Sequence, residues 1–302
     1  MGVNFMDEWH IGDPVDWGDG FMDAQNWGHD YDEEENQPDD TEINPHYSKR
    51  DRYSKLAWDY YMDFKEEDAL YYINLALDLD KNHHNNWNRK AIILEALKRY
   101  ENSEECYNES LRLSPSNIVS DNKARMLYSW ASDLIEKSKE LRNGLFKLED
   151  AKQICIRAIN ALPGENSEED IDKYLKLKES IEFYINYEKS FQKNIKTLKL
   201  YPKDELFTIT GEKFYKNDIT LTPFMPLKLV KEPCNKFDKN AIAVYAQGKK
   251  IGYVANNDPT KYELTSSASE LYDKIQNTAQ GRYLLYLDRY SSIQCSIGRI
   301  IK

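Results

Sequence analysis

The sequence predicts an α+β multidomain chain, an N-terminal α-helical repeat array followed by a small β-barrel that carries one helix. Three observations predict it. Residues 47–200 read as helices, and two stretches within them are self-similar at a period of 34 residues. Residues 226–254 read as strand, polar loop, strand, tight turn and strand. Residues 1–46 hold 14 Asp and Glu, no Lys or Arg, and no hydrophobic periodicity. The expected organisation is a disordered acidic, aromatic tail over 1–46, a helical repeat domain over 47–202 and a barrel over 203–302.

The tail has little apolar surface to offset the entropy of ordering, so it is expected to be disordered alone. Trp9, Trp17 and Trp27 are spaced through it, beside Phe5, Phe21 and Met22. Acid interleaved with aromatics is the pattern of a segment that docks. The net charge of the chain is −11, and removing the tail's −14 leaves +3. Within residues 203–302, 15 Lys and Arg face 11 Asp and Glu, or +4. Opposite charge makes the tail a candidate for intramolecular docking on the barrel.

In the helical region, Tyr53, Leu56, Ala57, Tyr60, Ala69, Ile73, Ala76 and Lys81 recur as Trp87, Lys90, Ala91, Leu94, Ser103, Tyr107, Ser110 and Pro115. This pattern resembles the tetratricopeptide repeat, a helix-turn-helix unit whose small residues let helices approach closely. Lys81, Lys90, Ser103 and Ser110 depart from the family's preferences. A third unit closes with Ala151, Cys155, Ala158 and Pro163, with about 14 extra residues expected near Glu136–Lys147. Residues 168–200 are expected to form a closing helix, because stacked repeats need their terminal apolar face covered. A groove on the array would take a protein or peptide partner, with Asn86, Arg89 and Lys90 lining it.

In the last third, Leu227, Leu229 and Val230 lead into a loop holding Pro233, Asn235, Phe237, Asp238 and Asn240. Strands follow at Ala241–Tyr245 and Ile251–Val254, joined by a Gln-Gly turn. A helix is expected over Pro259–Gln276, then strands over Tyr283–Leu287 and Ile293–Ile301. Residues 210–215 (TGEKFY), 232–244 (EPCNKFDKNAIAV) and 251–254 (IGYV) resemble the HIRAN domain, a small barrel related to the OB-fold. The resemblance covers about residues 204–302 and places Thr210–Tyr215 on the entry strand. It implies binding of single-stranded DNA at a free 3′ end. By motif position, Lys213 would neutralise phosphate, and Phe214 and Phe237 would stack on bases. Asn235 and Asp238 would hydrogen-bond the terminal nucleotide. After Tyr253 and Val254 this chain has Ala255, Asn256 and Asn257 where DNA-binding relatives place lysine.

No catalytic constellation emerges. All five histidines lie within the first 84 residues, and there is neither a Walker A pattern nor a glycine-rich fingerprint after a strand. Cys106, Cys155, Cys234 and Cys295 form no CxxC pair, so reduced thiols are expected, with no metal and no cofactor. No run of 18 apolar residues occurs, the N-terminus lacks the basic start of a secretory signal, and a cytoplasmic location is expected. The expected function is that of a non-catalytic adaptor, with the barrel on single-stranded DNA and the repeats on a protein. The alternative is a protein-interaction scaffold whose barrel has lost DNA binding.

Overall fold

The computed structural model describes residues 48–141, 143–164, 168–215, 218–289 and 293–301. The acidic tail, with its tryptophans and its expected docking, lies outside the described residues. Residues 49–302 form one compact unit. Seven helices come first: α1 (Lys49–Met62), α2 (Glu66–Leu79), α3 (His84–Ala96), α4 (Tyr100–Leu113), α5 (Asn117–Glu140), α6 (Leu145–Ala161) and α7 (Glu168–Leu198). None of the described helices is long and apolar enough to cross a membrane.

The period of 34 is written in the backbone as well as in the side chains. Phe64 and Lys98, one period apart, have φ of 58° and 55° and end α1 and α3 in the left-handed region. The amide of the next residue reaches back identically, Lys65 N to Tyr60 O and Arg99 N to Leu94 O, both at 2.9 Å. Such closure satisfies carbonyls that the end of a helix leaves open. Ala57, Ala69, Ala76 and Ala91 are fully buried where the helices meet.

The two serines that depart from the family's alanines have a structural reason. Ser103 Oγ donates to Ala91 O at 2.8 Å, and Ser110 Oγ donates to His84 O at 2.9 Å. A hydroxyl in a dry helix contact needs an acceptor, and the neighbouring helix supplies one. The extra residues of the third unit lengthen α5 to 24 residues.

The barrel consists of β1 (Leu206–Thr210), β2 (Pro226–Lys231), β3 (Ile242–Ala246), β4 (Lys249–Val254), β5 (Thr278–Arg289) and β6 (Ile293–Ile301), with α8 (Ala268–Tyr272) between β4 and β5. It closes in the order β1-β4-β3-β2-β5-β6. Alternation fills it: Phe207, Ile209, Leu227, Leu229, Ile242, Val244 and Ile251 face inward. Phe207 lies against Gly298, where a Cβ would come within 2.4 Å of the ring, so only glycine fits there. Gln247 and Gly248, both with positive φ, make the β3–β4 hairpin turn.

Two expectations are corrected. The helix expected over 259–276 exists only as Ala268–Tyr272, started by a Ser267–Glu270 capping box. Upstream, Tyr262 N donates to Thr208 Oγ1 at 3.0 Å, and Ser266 N donates to Leu206 O at 2.8 Å. Thr208 and Thr265 hydroxyls meet at 2.8 Å in the interior. These bonds to β1 hold the segment out of a helix. The entry strand also stops early. β1 ends at Thr210, Gly211 turns at φ 79°, and Glu212–Phe214 is a single 3₁₀ turn.

Candidate nucleic-acid interface

The loop between β2 and β3 is held by its own asparagine and aspartate. Asn235 Oδ1 accepts from Phe237 N at 3.0 Å and Asp238 N at 3.3 Å. Asp238 Oδ1 accepts from Asn240 N at 2.8 Å. These are Asx turns, which let a short polar side chain stand in for backbone pairing. The second oxygen of Asp238 accepts from Asn256 Nδ2 at 2.9 Å, and Asn256 Oδ1 accepts from Ser269 N at 2.8 Å. Asn256, in the segment where relatives place lysine, thus ties the loop to α8.

Behind the loop lies a cluster that sequence reasoning left without a role. Lys250 Nζ donates to Glu232 Oε1 at 2.6 Å and to Tyr253 Oη at 2.7 Å. Tyr253 Oη donates to Glu232 Oε2 at 2.9 Å, and Asn235 Nδ2 donates to the same oxygen at 3.0 Å. Burial opposes both charges, but the hydrogen bonds that Glu232 accepts and Lys250 donates outweigh it. Glu232 is thereby held below the usual carboxylate range, and the pKa of Lys250 is raised. Glu232 and Tyr253 stood inside the quoted motif, yet only the fold brings Lys250 to them.

Tyr253 is where the loop meets the entry turn. Asn235 Nδ2 lies 3.3 Å from Tyr253 Oη, and the Tyr215 ring lies 6.2 Å from the Tyr253 ring. Tyr215 follows Lys213 and Phe214, and the Lys213 ammonium sits 5.2 Å from the Phe214 ring centroid. The outcome is two aromatic faces presented to solvent: Phe237 is 98% exposed and Phe214 is 76% exposed. Neither is a core residue.

The three repeat residues do not converge. Asn86 is fully buried and accepts from Ser54 Oγ at 2.6 Å, so its expected place on a partner-binding surface is corrected. Arg89 turns toward α1, donating to Ser54 Oγ at 2.6 Å with its guanidinium 5.7 Å from the Trp58 ring centroid. Burial lowers the pKa of Arg89. Lys90 alone opens onto a groove of about 620 Å³ between α2 and α4, with Trp87, Leu70 and Glu105. Neighbouring helical positions stand about 100° apart, so Arg89 and Lys90 fall on different sides of α3.

The fold and this site define the class: a helical-repeat region followed by a closed barrel whose hydrogen-bonded β2–β3 loop carries an exposed aromatic. Residues 206–263 match the HIRAN domain and residues 84–117 match the tetratricopeptide repeat, so the chain carries a HIRAN domain preceded by a tetratricopeptide repeat. A search of curated proteins finds no match. Among solved structures, the Yersinia enterocolitica type III secretion translocator chaperone SycD, as an alternative dimer, is 17% identical, covering 47% of this chain and 98% of that chain, with a TM-score of 0.33. SycD in complex with a peptide of the translocator YopD is 16% identical, with the same coverage of 47% and 98% and a TM-score of 0.33. The second TPR domain of human RPAP3, in complex with an HSP70 peptide, is 14% identical over 44% of this chain and 98% of that chain, with a TM-score of 0.28.

Proposed function

We propose that the chain is a non-catalytic adaptor of the cytoplasm that holds a single-stranded DNA 3′ end on its barrel and a protein or peptide on its helical repeats. The HIRAN domain speaks for nucleic-acid binding and the tetratricopeptide repeat for protein interaction. One observation carries the finer reading: Phe237 is 98% exposed on a loop whose Asn235 and Asp238 are already hydrogen-bonded in place. An exposed aromatic on a rigid loop loses little conformational freedom when a base stacks on it. Lys213 beside Phe214 adds a cation at the second face. Each Asp238 oxygen accepts one described hydrogen bond and a carboxylate oxygen can accept two, leaving room for a terminal 3′-hydroxyl donor.

The test is a titration of the intact protein with single strands ending in 3′-hydroxyl, the same strands ending in 3′-phosphate, and a circular strand. Tightest binding to the 3′-hydroxyl strand is expected. Equal affinity for all three would remove end recognition. A protein-only scaffold is the second reading, favoured by Asn256: its amide is spent on Asp238 and Ser269, where relatives offer lysine to phosphate. Absence of binding to any strand would select that reading.

A further inference from the structure

The barrel's outer face has a charge arrangement that the loop site does not use. Strand register sets Lys250 opposite Tyr245, Tyr245 opposite Lys228, and Lys228 opposite Gln280. Lys228 and Gln280 are exposed and Tyr245 is partly so, whereas Leu227, Leu229 and Gly281 beside them face the interior. The row begins at Lys250, in the cluster behind the 3′-end loop. It crosses β4, β3, β2 and β5, about 14 Å at the usual strand spacing.

A second row lies one step away, where exposed Arg282 pairs with Pro226 on one side and Arg299 on the other. Like charges directly opposite each other on a sheet are unfavourable. Arg299 is compensated, since its guanidinium lies 2.8 Å from Glu205. Arg282 instead donates to Phe224 O at 3.0 Å. Among the described residues, no carboxylate pairs with Arg282 or with Lys228. Glu232 and Glu205 are engaged with the neighbouring cations Lys250 and Arg299.

We propose that this β3–β2–β5 face is the track along which the phosphodiester backbone of the bound single strand leaves the end site. Lys228 and Arg282 contact phosphates, and Tyr245, across from Lys228 on β3, offers a stacking surface on the side nearer the end site. The proposal rests on the DNA reading above and extends it from the terminal nucleotide to the following ones. Two uncompensated cations spaced over a polar, aromatic-bearing face fit a flexible polyanion whose sequence is not read.

The experiment compares wild type with Lys228→Gln/Arg282→Gln on a trinucleotide and a dodecanucleotide, both ending in 3′-hydroxyl, over a range of salt. For the long strand, the double variant should bind more weakly. Its slope of log affinity against log salt should shrink by about 1.4, at about 0.7 per lost phosphate contact. The trinucleotide should bind both proteins alike. Lys228→Arg/Arg282→Lys, which keeps both charges, should restore the slope. An unchanged slope and affinity on the long strand would overturn the track. So would polyglutamate binding as tightly as the long strand with the same loss in the double variant, which assigns the face to an acidic protein. Wild-type binding with no end preference, combined with loss in the double variant, would keep the track and remove only the end site.

Discussion

Arg289 Nε donates to Glu188 Oε2 at 3.2 Å, joining β5 to α7 across 101 residues of sequence. The Glu188 side chain is wholly buried and that of Arg289 is 9% exposed. Arg289 also donates to Leu141 O at the end of α5, and its guanidinium lies 5.3 Å from the Phe191 ring centroid. Around the pair, Phe191 and Leu198 of α7 pack with Leu284, Leu287 and Ile297 of the barrel. The closing helix of the repeat array and the barrel therefore share a core.

Removing one partner leaves a buried charge uncompensated. Glu188→Leu alone should cost about 3–5 kcal/mol, and Glu188→Leu with Arg289→Met should recover most of it, because apolar replacement of a whole buried pair is often neutral. Urea melts of the three proteins decide this. Equal loss in the single and double variants would show that Arg289 acts through Leu141 O instead.

Exposure of Phe214 and Phe237 separates binding from stability. Phe237→Ala and Phe214→Ala should leave the melting temperature unchanged. Each should weaken single-strand binding by about 1–3 kcal/mol, the cost of losing one base stack. Unfolding of either variant would contradict the exposure seen here.

Glu95, in the last turn of α3 and facing Tyr107 of α4, has its pKa pushed up to about 7 because burial penalises its charge. Arg125 and the Tyr107 hydroxyl, 3.2 Å from Oε2, pull the other way without overcoming burial. An unfolded glutamate titrates near its ordinary value of 4.5, so the unfolded chain loses this proton first. Stability from this group should be full below about pH 4.5, fall as pH rises to about 7, and stay level above that, a loss on the order of 1–3 kcal/mol. Glu95→Gln should flatten that window, as read from denaturant midpoints at each pH. An unaltered pH profile in the variant would exclude Glu95 as its source.

Phe64 holds φ at 58° while its side chain is 85% exposed. A side chain in the left-handed region costs about 1–2 kcal/mol, and glycine there returns part of that as chain entropy on folding. Phe64→Gly should therefore stabilise the protein by about 0.5–1 kcal/mol. A thermal melt showing destabilisation would mean that the exposed ring makes an unrecognised contact.

The order of a helical array and then a barrel was legible in the sequence because both signals are local. Ala57 and Ala91 repeat at a fixed offset since close helix packing demands small residues, and Leu227 and Leu229 alternate since a strand has two faces. The aromatic pair Phe214 and Phe237 was legible by motif, but its exposure was not, because one sequence does not say which aromatics find a core. Asn86, Arg89 and Lys90 looked like one patch; packing against α1 buries the first, ties the second to Ser54 and leaves only the third on a groove. The helix expected over 259–276 lost to hydrogen bonds with Thr208 and Leu206, more than 50 residues away. Lys250 beside Glu232, Arg289 beside Glu188, and the open cations Lys228 and Arg282 all depend on which strand lies next to which. Periodicity and turn chemistry are properties of a few consecutive residues, so sequence alone fixes them. A charge's partner is chosen by strand order and helix docking, and only the tertiary structure decides those.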